Sequence, residues 1–151
     1  MFENIPEEEY TLIVEKTPLC CVDLIIVKDK KVLVVKRKNK PAQGVYWFPG
    51  GRVHKNEKLK DAVLRKARQE VGVDVEIIKN IGAFETIFPD SNFSNKTGTH
   101  SINSVFLVSP KSDHLILDEQ SEDFRWIDKI EKDLPDYIQD SLKISGVFNA
   151  T

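Results

Sequence analysis

Gly51-Arg52-Val53-His54-Lys55-Asn56-Glu57-Lys58-Leu59-Lys60-Asp61-Ala62-Val63-Leu64-Arg65-Lys66-Ala67-Arg68-Gln69-Glu70-Val71-Gly72-Val73 is the stretch on which the fold turns. From Trp47 to Asn56 the sequence keeps no steady period and includes the consecutive glycines Gly50 and Gly51, so it reads as a loop. Leu59, Ala62, Val63 and Ala67 then fall at i, i+3, i+4 and i+8, the apolar stripe of an amphipathic helix. Asn56 stands where an N-cap is expected, and Gly72 where a helix stops. Lys66, Gln69 and Glu70 share one face of that helix at i, i+3 and i+4.

Upstream, Leu19, Val22, Leu24, Ile25, Ile26 and Val27 form a nearly continuous apolar run broken by Asp23, as in a mostly buried strand. Lys28-Asp29-Lys30 predicts a turn, and Val32-Leu33-Val34-Val35 the returning strand of a hairpin. Lys36, Arg37, Lys38 and Lys40 follow and lead into a loop at Pro41 to Gly44. A charged Asp23 inside an apolar strand is costly without a partner, which makes it a candidate for binding a sugar or an arginine. Downstream, strands are expected at Val73 to Ile78, Ile81 to Phe88, Ser101 to Val108 and Phe124 to Ile127. A closing helix is expected within Asp128 to Ile144, interrupted near Pro135. With no internal repeat or linker, residues 1–151 read as one mixed α/β domain.

The composition narrows the partners. In 151 residues, 22 Lys and Arg face 24 Asp and Glu, a net charge of -2 without a basic block, which disfavours nucleic acid and anionic membranes. Glu3, Glu7, Glu8 and Glu9 stand where a secretory signal would be basic and then apolar, so a cytoplasmic location is expected. Cys20 and Cys21 are strand neighbours that point to opposite faces, and read as small buried thiols in a reducing compartment. Neither has further Cys or His at metal-ligand spacing.

Gly51, five residues, Glu57, seven residues, Arg65, then Glu70, Gly72 and Val73 give the skeleton of a Nudix box, G-x5-E-x7-R-E-U-x-E-E-x-G-U. In the full pattern the helix face carries carboxylates that hold divalent cations. Here those positions are Lys66, Gln69 and Glu70, leaving one carboxylate. Asp23, Lys36-Arg37, Pro41 to Gly44, Trp47-Phe48, Pro49 to Val53, Asp90 with Asn92-Phe93-Ser94, Thr99-His100, Asp118 to Gln120 and Arg125-Trp126 resemble the GDP-mannose mannosyl hydrolase branch of the Nudix superfamily. That resemblance runs from about Thr17 to about Ile127, and the branch shares the lone carboxylate.

The resemblance implies a Nudix α/β/α sandwich with a mixed sheet, an α+β arrangement, and a homodimer. It implies an enzyme that cleaves the bond between the anomeric carbon of a GDP-sugar and its diphosphate, releasing GDP and free sugar. Mg²⁺ would be held by the Gly50 carbonyl, the Glu70 carboxylate and the Gln120 side chain, with diphosphate oxygens completing the shell. Arg37 and Arg52 match arginines assigned to the leaving diphosphate, where guanidinium forks suit phosphate oxygens. Arg65 also matches, either as a catalytic group or as the structural partner of Glu57, and Asp23 matches a family acid. Leaving-group charge would be stabilised by one Mg²⁺ and two arginines more in the transition state than in the substrate.

Three positions depart from the branch. Ser121 replaces the histidine that acts as general base, Ile87 replaces a second histidine, and Ser101 replaces a tyrosine. Glu122, Asp123, His54 and His100 are the titratable groups that could stand in for the base. Two other readings stay open: a Nudix pyrophosphohydrolase attacking phosphorus, and a silent nucleotide-sugar binding module. Free sugar plus GDP, sugar phosphate plus GMP, or Mg²⁺-dependent GDP binding without turnover would tell the three apart. Phe84, Phe88 and Phe93 could stack on a base, although strand aromatics more often serve the core.

Overall fold

Strand β1 (Leu19–Lys28) organises the molecule, because its apolar run lets both faces be buried. In the computed structural model, which describes residues 4–90, 98–115 and 121–149, it runs parallel to β6 (Thr99–Pro110), in register from Leu19 opposite Ser101 to Ile26 opposite Val108. Its other edge is shared. Near its start it pairs antiparallel with β4 (Gly50–Arg52), and at its end with β2 (Lys31–Arg37). Between β1 and β2, Asp29 and Lys30 take φ of 51° and 61°, the paired positive φ of the two-residue turn that suits hairpin twist. β2 continues the sheet to β3 (Tyr46–Trp47) and β7 (Ser121–Ile127), and β5 (Val75–Phe88) lies antiparallel on β6 at the opposite edge.

The two faces of β1 feed two cores. Val22, Leu24 and Ile26, with Leu33, Phe106 and Val108, pack under Ala62, Val63, Ala67 and Val71 of α2 (Leu59–Val71). Ile25, Val32, Val34, Val105 and Leu107 meet Ile138 and Leu142 of α3 (Asp136–Ser145) on the other side. Each fully buried Leu, Ile or Val contributes roughly 1.5–3 kcal/mol. A mixed sheet between α2 and α3 is the expected α/β/α sandwich. An additional helix, α1 (Glu7–Lys16), which is not among the expected elements, lies against β6; its acidic first turn and Lys16 in its last turn suit the helix dipole.

Several local expectations change. Asn56 does not cap α2: at φ 67° it serves a turn closed by the Glu57 N–H on the His54 carbonyl, and Lys58 precedes the helix. Gly72, at φ 65°, ends the helix as expected, its N–H reaching the Arg68 carbonyl at 3.1 Å. The strands expected at Val73 to Ile78 and Ile81 to Phe88 are one strand, β5, with irregular pairing between Ile77 and Lys79 and between Asn80 and Gly82. Gly82 takes φ 131° there, and the Asn80 Oδ1 accepts its N–H at 2.9 Å. The loop expected over Trp47 to Asn56 begins with the short strands β3 and β4, and the closing helix starts only after Pro135. Cys20 is exposed rather than buried, since it precedes the part of β1 that α2 covers. No helix among the described residues is long and apolar enough to cross a membrane.

Candidate active site

The face of the sheet that carries Ile25 and Val105 changes character toward the start of β1 and β6. There Cys21 and Asp23, with Ser101 and Asn103 of β6 and Thr86 of β5, line a cavity of about 370 Å³ instead of a core. Trp47, Phe48 and Phe88 form an aromatic wall, while Gly50, Gly51, Lys66 and Glu70 bring in β4 and α2. Lys36, Arg37, Lys38, Lys40, Arg52 and Lys66 line it against the two carboxylates Asp23 and Glu70. The cavity is therefore strongly cationic, suited to an anionic ligand.

Arg65 holds the loop on the helix. Its Nε donates to Glu57 Oε2 at 2.8 Å and its Nη2 to Glu57 Oε1 at 2.9 Å, and Nη2 also donates to the Arg52 carbonyl at 2.9 Å. The His54 N–H donates to Glu57 Oε1 at 3.0 Å. Burial works against the Glu57 charge, but the hydrogen bonds from Arg65 and His54 outweigh it and hold its pKa below the usual value. This clamp fixes Gly50, Gly51 and Arg52 beside α2. Gly50 is required at that point, because a Cβ there would run into the Val22 carbonyl and Asp23 Oδ1.

Asp23 is buried and accepts a hydrogen bond of 2.7 Å from the Tyr137 hydroxyl of α3. Tyr137 also stacks on Trp47, with ring centroids 4.9 Å apart, and Phe88 meets Trp47 edge-on at 5.7 Å. Burial pushes the Asp23 pKa up to about 6, against the hydrogen bonds from Tyr137 and Trp47 and the charge of Arg37. The same effects, burial first and then the facing carboxylate, raise the Tyr137 pKa. Arg37 donates from Nε to the Pro41 carbonyl at 2.8 Å; burial opposes its charge, and Asp23 and Glu70 offset part of that cost. The Arg52 guanidinium lies over the Tyr10 ring of α1, 5.2 Å from its centroid.

The raised Asp23 pKa has a consequence for stability. A carboxyl raised from 3.8 to about 6 favours the fold below its unfolded value, and that contribution is lost as pH rises through about 6. The difference is worth roughly 3 kcal/mol. Urea unfolding in EDTA should therefore show Asp23→Asn gaining on wild type by up to about this amount between pH 4 and pH 8. A stability difference that does not change with pH would mean that Asp23 is not ionised at a cost.

A family model for the NUDIX domain matches residues 20–141. The chain belongs to the Nudix family. Among curated proteins, it is 36% identical over 136 residues to the low-salt glycan biosynthesis protein Agl8 of Haloferax volcanii, covering 90% of this chain and 87% of that one. It is 35% identical over 91 residues to an ADP-ribose pyrophosphatase of Methanocaldococcus jannaschii, covering 60% of this chain and 50% of that one. The crystal structure of a MutT NUDIX hydrolase from Burkholderia pseudomallei superimposes with a TM-score of 0.72 at 25% identity, over 85% of this chain and 98% of that one.

Nudix hydrolases act on nucleoside diphosphate derivatives and generally use a divalent metal. The Nudix box residues here fit such an ion in the manner of a phosphate-assisted site. Glu70 is buried at 8% exposure, lines the cavity beside Gly50, and offers a hard oxygen donor. Mg²⁺ is commonly bound through one or two carboxylates plus substrate phosphates, so a single carboxylate is sufficient chemistry. Among the described residues no three His, Cys, Asp or Glu converge on a metal position. Gln120 and Phe93 lie outside the described residues, and of Ser121 only the backbone, opposite Arg37 in the sheet, is described.

The structure brings Asp23, Arg37, Gly50, Arg52 and Glu70 to one cavity and places Arg65 behind it, on Glu57. Of the titratable groups considered as stand-ins for the base, His54 and His100 are not among the lining residues, and Asp123 is exposed with Tyr46 donating to its Oδ2 at 2.9 Å. Phe84 packs against the α3 core, whereas Phe88 lines the cavity. Tyr10, Tyr137, Thr86 and Asn103 were not singled out by sequence. Asn103 had a signal, being in alternation with Thr99 and Ser101 at the start of a strand that turns apolar from Val105, whereas Thr86 sits beside Glu85 in a strand of mixed polarity, and Tyr10 and Tyr137 arrive on helices whose docking no local pattern announces.

Proposed function

We propose that this chain hydrolyses a nucleotide sugar, with a GDP-sugar such as GDP-mannose as substrate and Mg²⁺ as its ion, releasing the nucleoside diphosphate and the free sugar. The observation that carries this reading is one cavity lined both by cationic groups (Arg37, Arg52, Lys66) and by small hydroxyl and amide groups with an indole (Thr86, Ser101, Asn103, Trp47). A diphosphate suits the first and a hexose the second. Thr86 Oγ1 and Ser101 Oγ lie 2.7 Å apart, and Asn103 Nδ2 donates to Thr86 Oγ1 at 3.3 Å, a connected polar floor that can exchange partners with sugar hydroxyls.

In this reading Arg37 and Arg52 meet the leaving diphosphate and stabilise charge that grows as the glycosidic bond breaks. Asp23, fixed by Tyr137, orients the sugar. The Glu70 carboxylate, the Gly50 carbonyl and Gln120 would hold Mg²⁺, which supplies Lewis-acid stabilisation of the diphosphate oxygens when bound. Water adds to the anomeric carbon as its bond to the diphosphate oxygen breaks; the nucleoside diphosphate departs with that electron pair and the water's proton passes to solvent, so the helix needs no carboxylate triplet to activate water. The homodimer of the resembling branch is part of the same proposal, and sedimentation equilibrium tests it.

Hydrolysis in ¹⁸O water with Mg²⁺ and a panel of nucleotide sugars tests the chemistry. Label in free sugar, with unlabelled GDP, is the expected result. Label in GMP or in sugar phosphate would replace this reading with attack at phosphorus, the chemistry named for the M. jannaschii relative. Mg²⁺-dependent GDP binding with no turnover of any substrate would make the chain a binding module.

A further inference from the structure

The helix position that carries a metal-binding carboxylate in the full Nudix pattern is Lys66, and its side chain is turned inward. Nζ lies 2.8 Å from Glu70 Oε1, one helical turn on, with the two side chains only 15% and 11% exposed. Gly51 leaves room for it: a Cβ there would stand 2.5 Å from Lys66 Cε and 2.8 Å from Nζ. Lys66 thus lies in a groove along β4, with its charge on the carboxylate that lines the cationic cavity.

We infer that in the substrate-free protein the Lys66 ammonium occupies the cation position on Glu70, and that a divalent ion binds there by displacing it. The inference rests on the proposed role of Glu70 as metal ligand. An ammonium and a dication compete for the same carboxylate oxygen, and with both in place the like charges would stand within a few ångströms of each other. Lysine suits a displaceable partner, being a point charge on a flexible four-carbon stem that can swing into the cavity without unfolding the helix. Arg37 and Arg52 line the same cavity and add to the repulsion that an entering ion meets. The site is therefore weak for metal until the ammonium leaves, and removing the lysine charge should strengthen it.

The test is Mn²⁺ titration of the substrate-free full chain, followed by water-proton relaxation, for wild type, Lys66→Met and Glu70→Gln. Losing both the competing bond and the repulsion should tighten Mn²⁺ binding to Lys66→Met about tenfold or more. Glu70→Gln should lose binding. Should the methionine variant not fold, Lys66→Gln keeps a hydrogen-bond donor without the charge and must show the same gain. If Glu70→Gln abolishes binding but neither lysine variant binds Mn²⁺ more tightly than wild type, the displacement idea fails while the Glu70 assignment stands. If Glu70→Gln binds Mn²⁺ as wild type does, both fail.

Discussion

Arg65→Ala should lower unfolding free energy by about 3–5 kcal/mol, the usual cost of removing one partner from a buried ion pair. The Glu57 side chain is 1% exposed, and its two oxygens take the guanidinium fork at 2.8 and 2.9 Å. Alanine would leave that carboxylate buried with only the His54 N–H among the contacts described above, and would free the Arg52 carbonyl from Nη2. For a domain of this size the thermal midpoint should fall by roughly ten degrees. Differential scanning fluorimetry at pH 7 checks this. A variant that keeps its midpoint but loses turnover would move Arg65 from the scaffold into the chemistry.

The neighbouring Arg52→Ala should behave in the opposite way. Its guanidinium faces the cavity over Tyr10 and in the proposed reaction meets the leaving diphosphate. Losing one such group should lower kcat/KM for the nucleotide sugar by about 10² to 10³-fold. Folding should change little, because the part of Arg52 that Arg65 grips is its backbone carbonyl, which alanine retains. Steady-state kinetics beside a melting curve decides the point: a collapse of the midpoint together with activity would make Arg52 a structural residue.

The difference between these arginines shows how far the sequence could be read. Gly51, Glu57, Arg65, Glu70 and Gly72 identify the loop and helix because a helix turns fixed spacing into fixed direction, and the Glu57–Arg65 pair is one of the two roles that the spacing allowed. Asp23 stood out as a charge in an apolar strand, yet its partner Tyr137 is 114 residues away on a helix placed by tertiary packing. Lys66 could be read as a cation replacing a ligand, one helical turn from Glu70; the room that Gly51 leaves for it along β4 is a tertiary feature that no helix spacing shows. Helix α1 escaped because a single short amphipathic segment has a weak period, with only Val14 buried. Asn56 failed as a cap because its backbone is left-handed, a conformation that asparagine tolerates and that composition does not distinguish from capping.

One face of the central sheet passes from cavity lining to packed core within a single alternation, from Asp23 to Ile25 on β1 and from Asn103 to Val105 on β6. The boundary separates two kinds of mutational tolerance. Past it, a side chain that shrinks leaves a void under α3 and costs several kcal/mol. Before it, Cys21 and Ser101 line the cavity rather than the core, so a change in their size leaves no void under α3. For the proposed reaction, a change of glycosyl group would be met most easily at these few wall positions, where variants keep the core packing that lets them persist.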